Sequence, residues 1–163
     1  MIERFLKSLV WAVSWMSMAL VVGCSGADSE PGMVAYPVTG KVIVDGTPAE
    51  YVRVALIPIN AKDGRPVASG MTDSEGEFRL KCSKEITVKD KKTIKQFEGA
   101  EPGDYFVSLS WLKPIKPESS EPEFGDELLP EKYQNPAQSG LPELKVTIDE
   151  SETEIPPFQL KRR

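Results

Sequence analysis

The sequence predicts an all-β fold, an antiparallel β-sandwich of about seven strands. Three observations carry that reading. Short apolar runs alternate with polar residues at period two, the spacing at which a strand buries one face. Turn signals separate the runs, and Gly (12) and Pro (14) are frequent in a chain of 163 residues. No stretch beyond the N-terminal apolar segment shows a sustained helical period with caps.

The first strand is Val38–Val44, closed by Asp45-Gly46, a pair suited to a tight hairpin turn. The second runs from Tyr51 to Ile57. Val52, Val54 and Leu56 point to one face, and Tyr51, Arg53, Ala55 and Ile57 to the other. Asn60–Pro66 is a loop containing Asp63-Gly64. Val67–Thr72 is the third strand, and Asp73-Ser74-Glu75-Gly76 is a tight turn. Glu77–Cys82 follows as the fourth, with Phe78 and Leu80 on one face. Pro102-Gly103 leads into Asp104–Trp111, where Tyr105, Val107, Leu109 and Trp111 alternate with Phe106 and Ser108. Leu144–Ile148 is the sixth strand, and Phe158–Lys161 the seventh, after Pro156-Pro157. The expected core is Val42, Val54, Leu56, Phe78, Leu80, Tyr105, Val107, Leu109, Val146 and Phe158.

Two segments depart from this meander. Lys84–Phe97 holds Lys84, Lys89, Lys91, Lys92 and Lys95 among Ile86, Val88, Ile94 and Phe97. It reads as a hairpin turning at Asp90-Lys91, its lysines blunting an exposed edge, or as a short amphipathic helix. Lys113–Pro142 holds six prolines and the acidic cluster Glu118, Glu121, Glu123, Asp126 and Glu127. It is longer than an ordinary connector, so it is a functional loop or a loosely ordered one.

The N-terminus carries an address. Arg4 and Lys7 precede an apolar stretch from Leu9 to Val22, broken only by Ser14 and Ser17. That is the layout of a secretory signal, too short for a comfortable membrane span. Leu20-Val21-Val22-Gly23-Cys24 resembles a bacterial lipobox. The resemblance implies cleavage before Cys24, acylation of its thiol and new amine, and a firm hold on a membrane. The other reading is an uncleaved N-terminal anchor. Ser25, in place of Asp, resembles the sorting signal for the outer membrane. The expected organisation is a signal peptide over 1–23, a flexible tether over 24–35 and one sandwich domain over 36–163. The location is the cell envelope, lipid-anchored, facing periplasm or exterior.

Charge and composition exclude several function classes. The whole chain has net charge −5 and a pI near 5.0, against a nucleic-acid partner. After removal of 1–23 there remain 18 basic and 24 acidic residues, a net −6, which favours solubility and argues against binding anionic lipid head groups. There is no histidine, which removes His-based catalysis and most zinc or haem sites. Lipidation of Cys24 leaves Cys82 the only thiol, expected as a buried structural cysteine.

Three stretches then stand together. Val38-Thr39-Gly40-Lys41-Val42 leads through Asp45-Gly46 and Pro48 into the second strand. Thr72-Asp73-Ser74-Glu75-Gly76-Glu77-Phe78 follows, then Pro102-Gly103-Asp104-Tyr105. Near the end come Leu129-Pro130-Glu131-Lys132-Tyr133, Leu144-Lys145-Val146-Thr147 and Pro157-Phe158-Gln159-Leu160. Over about Tyr36 to Leu160 the chain resembles the carboxypeptidase regulatory-like, or transthyretin-like, domain of short bacterial lipoproteins. The resemblance implies a seven- to eight-stranded antiparallel sandwich, generally a non-catalytic accessory or adhesion module.

No residue constellation points to catalysis, a cofactor or a metal. Ser74 between Asp73 and Glu75 reads as a turn residue, and Glu118–Glu127 lacks the Asp/Asn-with-Gly pattern of a calcium loop. Trp111 offers a ring for sugar stacking, or packs on the core. Phe124 and Leu128 present apolar side chains within the acidic loop, so that loop is the expected contact site. The reading is a membrane-anchored extracytoplasmic lipoprotein acting as a non-catalytic interaction or structural module. Its partners are the membrane, through the N-terminal lipid, and an envelope protein or glycan. The alternative is a carbohydrate- or cell-wall-binding module.

Overall fold

The computed structural model describes residues 33–88, 91–115 and 124–162. Within them the chain is all-β and sandwich-like, with eleven strands in two mostly antiparallel sheets.

The first sheet is built around β1 (Val38–Val44). β1 turns at Asp45-Gly46 into the two-residue β2 (Thr47–Pro48), pairing Val44 with Thr47. Asp45 and Gly46 both have positive φ, 51° and 82°. A tight hairpin between right-twisted strands demands that geometry at both central residues, which is why Asp-Gly stands there.

The second sheet starts with β3 (Val52–Pro58) and β4 (Ala68–Met71). Val52, Val54 and Leu56 are fully buried and the intervening side chains face outward, as their alternation predicts. The expected fourth strand is really two. β5 (Glu77–Arg79) pairs with β1 in the first sheet, whereas β6 (Lys81–Val88) pairs with β4 in the second. Leu80 is the corner. Its N–H donates to Val38 O at 3.0 Å, and its carbonyl accepts from Gly99 N at 2.7 Å. Phe78, Leu80 and Cys82 stay buried across the switch, so the sequence alternation runs on unbroken while the pairing partner changes.

β7 (Lys91–Glu98) returns along β6, which decides between the two readings of the lysine-rich segment in favour of a hairpin. Its expected turn at Asp90-Lys91 falls partly outside the described residues. β8 (Gly103–Pro114) is the long central strand, flanked by β3 and β10 (Lys145–Ile148), with β9 (Phe124–Glu127) at its end. The order is β10-β8-β3-β4-β6-β7. Between β9 and β10 lie two single-turn helices, α1 (Glu131–Gln134) and α2 (Pro136–Ser139). One turn is too short to show a helical period, so the sequence pattern misses both.

β11 (Thr153–Leu160) corrects two expectations. It begins before Pro156-Pro157 rather than after. It is also parallel to β1, with Val38 opposite Thr153 and Val44 opposite Leu160. Prolines are tolerated because β11 is an edge strand, and the pairing slips by a bulge between Gly40 and Val42. The connection before it carries the chain from β10 in one sheet to β11 in the other.

The core joins both sheets. Of the expected members only Val146 falls short. It is half-buried on edge strand β10, while its neighbours Leu144 and Ile148 are fully enclosed. Met33, the first described residue, is buried. Phe78 stacks on Phe158 with ring centroids 6.5 Å apart and lies over Gly40. A Cβ at Gly40 would stand 2.5 Å from the Phe78 ring, so the ring's seat requires glycine.

Phe78→Ala is expected to lower stability by about 3–5 kcal/mol in a denaturant melt. Gly40→Ala should lower it by about 1–3 kcal/mol, because the ring must move. A change within error for both would place Phe78 outside the core.

Candidate functional site

The motif residues of the sequence turn out to hold the scaffold. Thr72 is buried, and its hydroxyl donates to Ala49 O at 2.6 Å while accepting from Val52 N at 2.8 Å. It thus fastens the start of β3 to the end of β4. The Asp73 carboxylate accepts from Glu75 N and Glu77 N, both at 2.9 Å. Gly76 has φ of 73°, and its carbonyl accepts from Val42 N at 2.8 Å. Ser74 therefore sits in a turn whose carboxylate is already occupied by amides.

Pro102-Gly103-Asp104-Tyr105 is likewise a built corner. The Tyr105 ring is buried, and its hydroxyl donates to Glu101 O at 2.8 Å. The Arg65 guanidinium lies 5.0 Å from the ring centroid, donates to Pro102 O at 3.1 Å and pairs with Asp63 at 2.7 Å. It fills the space where a Gly103 side chain would project. Burial raises the Tyr105 pKa, which Arg65 opposes.

Of the sequence-predicted contact residues, Cys24 and the side chain of Phe124 lie outside the described residues, as do Glu118, Glu121 and Glu123. Trp111 and Leu128 are brought together. Both are half-buried, and Leu128 N donates to Trp111 O at 2.8 Å. The indole N–H donates to Glu50 O at 2.8 Å. Arg162 covers the ring at 5.3 Å while donating to Asp45 at 3.1 Å. One face of the indole is therefore occupied.

The described part of the long acidic segment is sewn to β8. The Glu127 carboxylate accepts from Ser110 Oγ at 2.6 Å, Trp111 N at 2.8 Å and Leu129 N at 2.9 Å. Ser108 Oγ donates to Gln134 O at 2.9 Å, and Leu129 and Tyr133 are buried. Residues 124–142 thus belong to the fold.

A broad concavity lies elsewhere, over β5, β1 and β11. It is a groove of about 550 Å³. Thr39 and Gly40 give it a shallow floor, and Lys41, Glu77, Arg79, Glu152 and Glu154 supply the charge. Lys41 and Glu77 approach to 3.8 Å. Such a surface suits an extended ligand of mixed charge. Sequence reading missed it because Glu152 and Glu154 reach it only through β11. The alternation of Glu152 and Glu154 with Thr153 and Ile155 was the available signal. Among the described residues no three His, Cys, Asp or Glu side chains are gathered to hold a metal ion.

Cys82 is the described thiol, free and buried. Burial, helped by the Glu101 carboxylate and opposed by Lys84, pushes it up from an ordinary 9.0 to about 11. No protein-family model and no curated protein matches the chain.

Glu127→Ala should cost about 2–3 kcal/mol, since it strips charge-assisted hydrogen bonds from two backbone amides. Its check is a denaturant melt with near-ultraviolet dichroism of Trp111. Between pH 9 and 11 the native Cys82 keeps a proton that the unfolded chain loses, so stability falls as pH rises. Cys82→Ala should flatten that slope. An unchanged slope would assign the alkaline loss to other groups.

Proposed function

We propose that this chain is a lipid-anchored protein of the bacterial cell envelope, anchored through Cys24. Its domain, of the carboxypeptidase regulatory-like sandwich type, acts as a non-catalytic interaction module. The anchor reading rests on Arg4 and Lys7, the apolar stretch and the Leu20–Cys24 sequence. The observation that supports contact over chemistry is the use made of the motif residues. Thr72, Asp73, Gly76 and Tyr105 are committed to turns and corners. What the domain offers outward is a broad groove of mixed charge, a surface for binding an extended partner by ion pairing and backbone contact.

Mass spectrometry of the membrane fraction should find Cys24 as an acylated N-terminal residue, and Cys24→Ala should release the protein from membranes. An intact Met1–Lys7 peptide in the mature protein would overturn the anchor reading. For the groove, Arg79→Glu with Glu154→Lys should leave the melt unchanged and abolish cross-links to envelope partners. Unaltered cross-links would place the contact surface elsewhere.

A further inference from the structure

The charge of the domain is unevenly placed. Residues 81–98 carry six lysines against three acidic residues, a net +3. The rest of 33–163 carries 12 basic and 19 acidic residues, a net −7. The positive share sits on the β6–β7 hairpin. β6 pairs with β4 only at Lys81 and Cys82, and the six pairs from Ser83–Gln96 to Val88–Lys91 run on beyond it. The hairpin is a projecting two-stranded arm.

Strand alternation divides the arm into two unlike faces. On one, Lys81 pairs with Glu98 and Lys92 with Glu85, each at 2.7 Å, so charge is cancelled locally. The other carries Lys84, Lys91 and Lys95 with Ile86, Thr93 and Phe97, and among the described residues of the arm no acidic one falls on it. Lys84 and Lys95 are direct cross-strand neighbours, an arrangement that works against the hairpin unless something negative lies over it. Glu101, beyond the arm, answers Lys84 alone, at 3.1 Å.

The chain enters the domain at the base of this arm. Tyr36 bridges Ala100, two residues after β7, with N–H···O bonds of 2.9 and 3.0 Å in the two directions. Eight residues lie between Cys24 and Met33, nine chain steps with a reach of about 30 Å at full extension. The six projecting pairs span about 20 Å. An anchor at Cys24 therefore holds the arm within touching distance of the bilayer.

We propose that the Lys84, Lys91 and Lys95 face of the arm lies on the anionic phospholipid surface to which the chain is anchored, and so orients the domain. The inference rests on the lipid anchor proposed above. A body of net −7 is repelled by the same surface, so attraction at the arm and repulsion elsewhere turn the domain in one sense. Both forces act within a Debye length, about 8 Å at physiological salt. The whole-chain charge hides this, because the arm is outvoted in the total.

The test reconstitutes the full-length protein in two kinds of vesicle, phosphatidylcholine alone and the same lipid with about a third phosphatidylglycerol. Amide hydrogen exchange is followed over residues 83–88 and 91–96. Exchange of the arm should slow on the anionic vesicles only, by about fivefold for each lysine engaged, and recover in high salt. Lys91→Glu with Lys95→Glu should abolish the slowing, whereas Lys92→Glu, on the opposite face, should keep most of it. Equal exchange on both vesicles would overturn the proposal. Slowing on both that grows with protein density would also overturn it, assigning the arm to a second copy of the chain. Failure of the anchor itself shows separately, as loss of the protein from the neutral vesicles.

Discussion

The fold hangs on a single run of chain that must serve two sheets. From Glu77 to Val88 the backbone stays extended, yet it hands its hydrogen bonds from β1 to β4 within one residue, Leu80. The exchange succeeds because Phe78, Leu80 and Cys82 remain on the interior side throughout. Burying each of the two larger side chains contributes about 1.5–3 kcal/mol. Phe78 needs Gly40 beneath it, and Leu80 needs Val38 and Gly99 as partners at its two polar atoms. Once that corner is set, the distance between the sheets and the direction of the hairpin arm follow from it.

Around the corner, polar side chains do what turns and strand ends cannot do alone. Thr72 ties two strand ends, Asp73 caps a turn, Arg65 bridges a loop to a buried ring, and Glu127 gathers amides from β8 and the chain after β9. Thr72, Arg65 and Glu127 give partners to buried or half-buried groups, and Asp73 orders an exposed turn. The chemically conspicuous residues are therefore committed to the interior and its rim. The binding proposed above falls to surfaces defined by charge, the groove over β1 and the arm of β6 and β7. That division suits a module working by contact at an interface.

Much of the fold was legible because the pattern is local. Val52, Val54 and Leu56 declare a buried face by themselves, and Asp45-Gly46 declares its own turn. The reading broke where the deciding partner is distant. Nothing in Phe78-Arg79-Leu80 announces a change of sheet, since alternation records which side is buried and not which strand lies alongside. Pro156-Pro157 looked like a boundary, and only its place on an edge makes it a strand interior. The groove was invisible for the same reason, being made of β5, β1 and β11 from opposite ends of the chain. Trp111 and Leu128 were legible only as separate contact candidates, because Glu127, which ties the chain after β9 to β8, reads in the sequence as one more acid in a loop.

The parallel pairing of β1 with β11 also fixes when this domain is able to form. β1 is made first, and β11, its longest neighbour, after every other described strand. A chain emerging from a ribosome, or threading a membrane pore N-terminus first, carries an unfinished first sheet for nearly the whole of its passage. Long-range closure of that kind is slow compared with hairpin formation. Until Thr153–Leu160 is added, β1 has only β2 and β5 beside it, whereas the second sheet has all its strands. Closing the first sheet therefore comes after the hairpins of the second, and a chain that lacks Thr153–Leu160 leaves β1 without its longest partner and open to proteolysis.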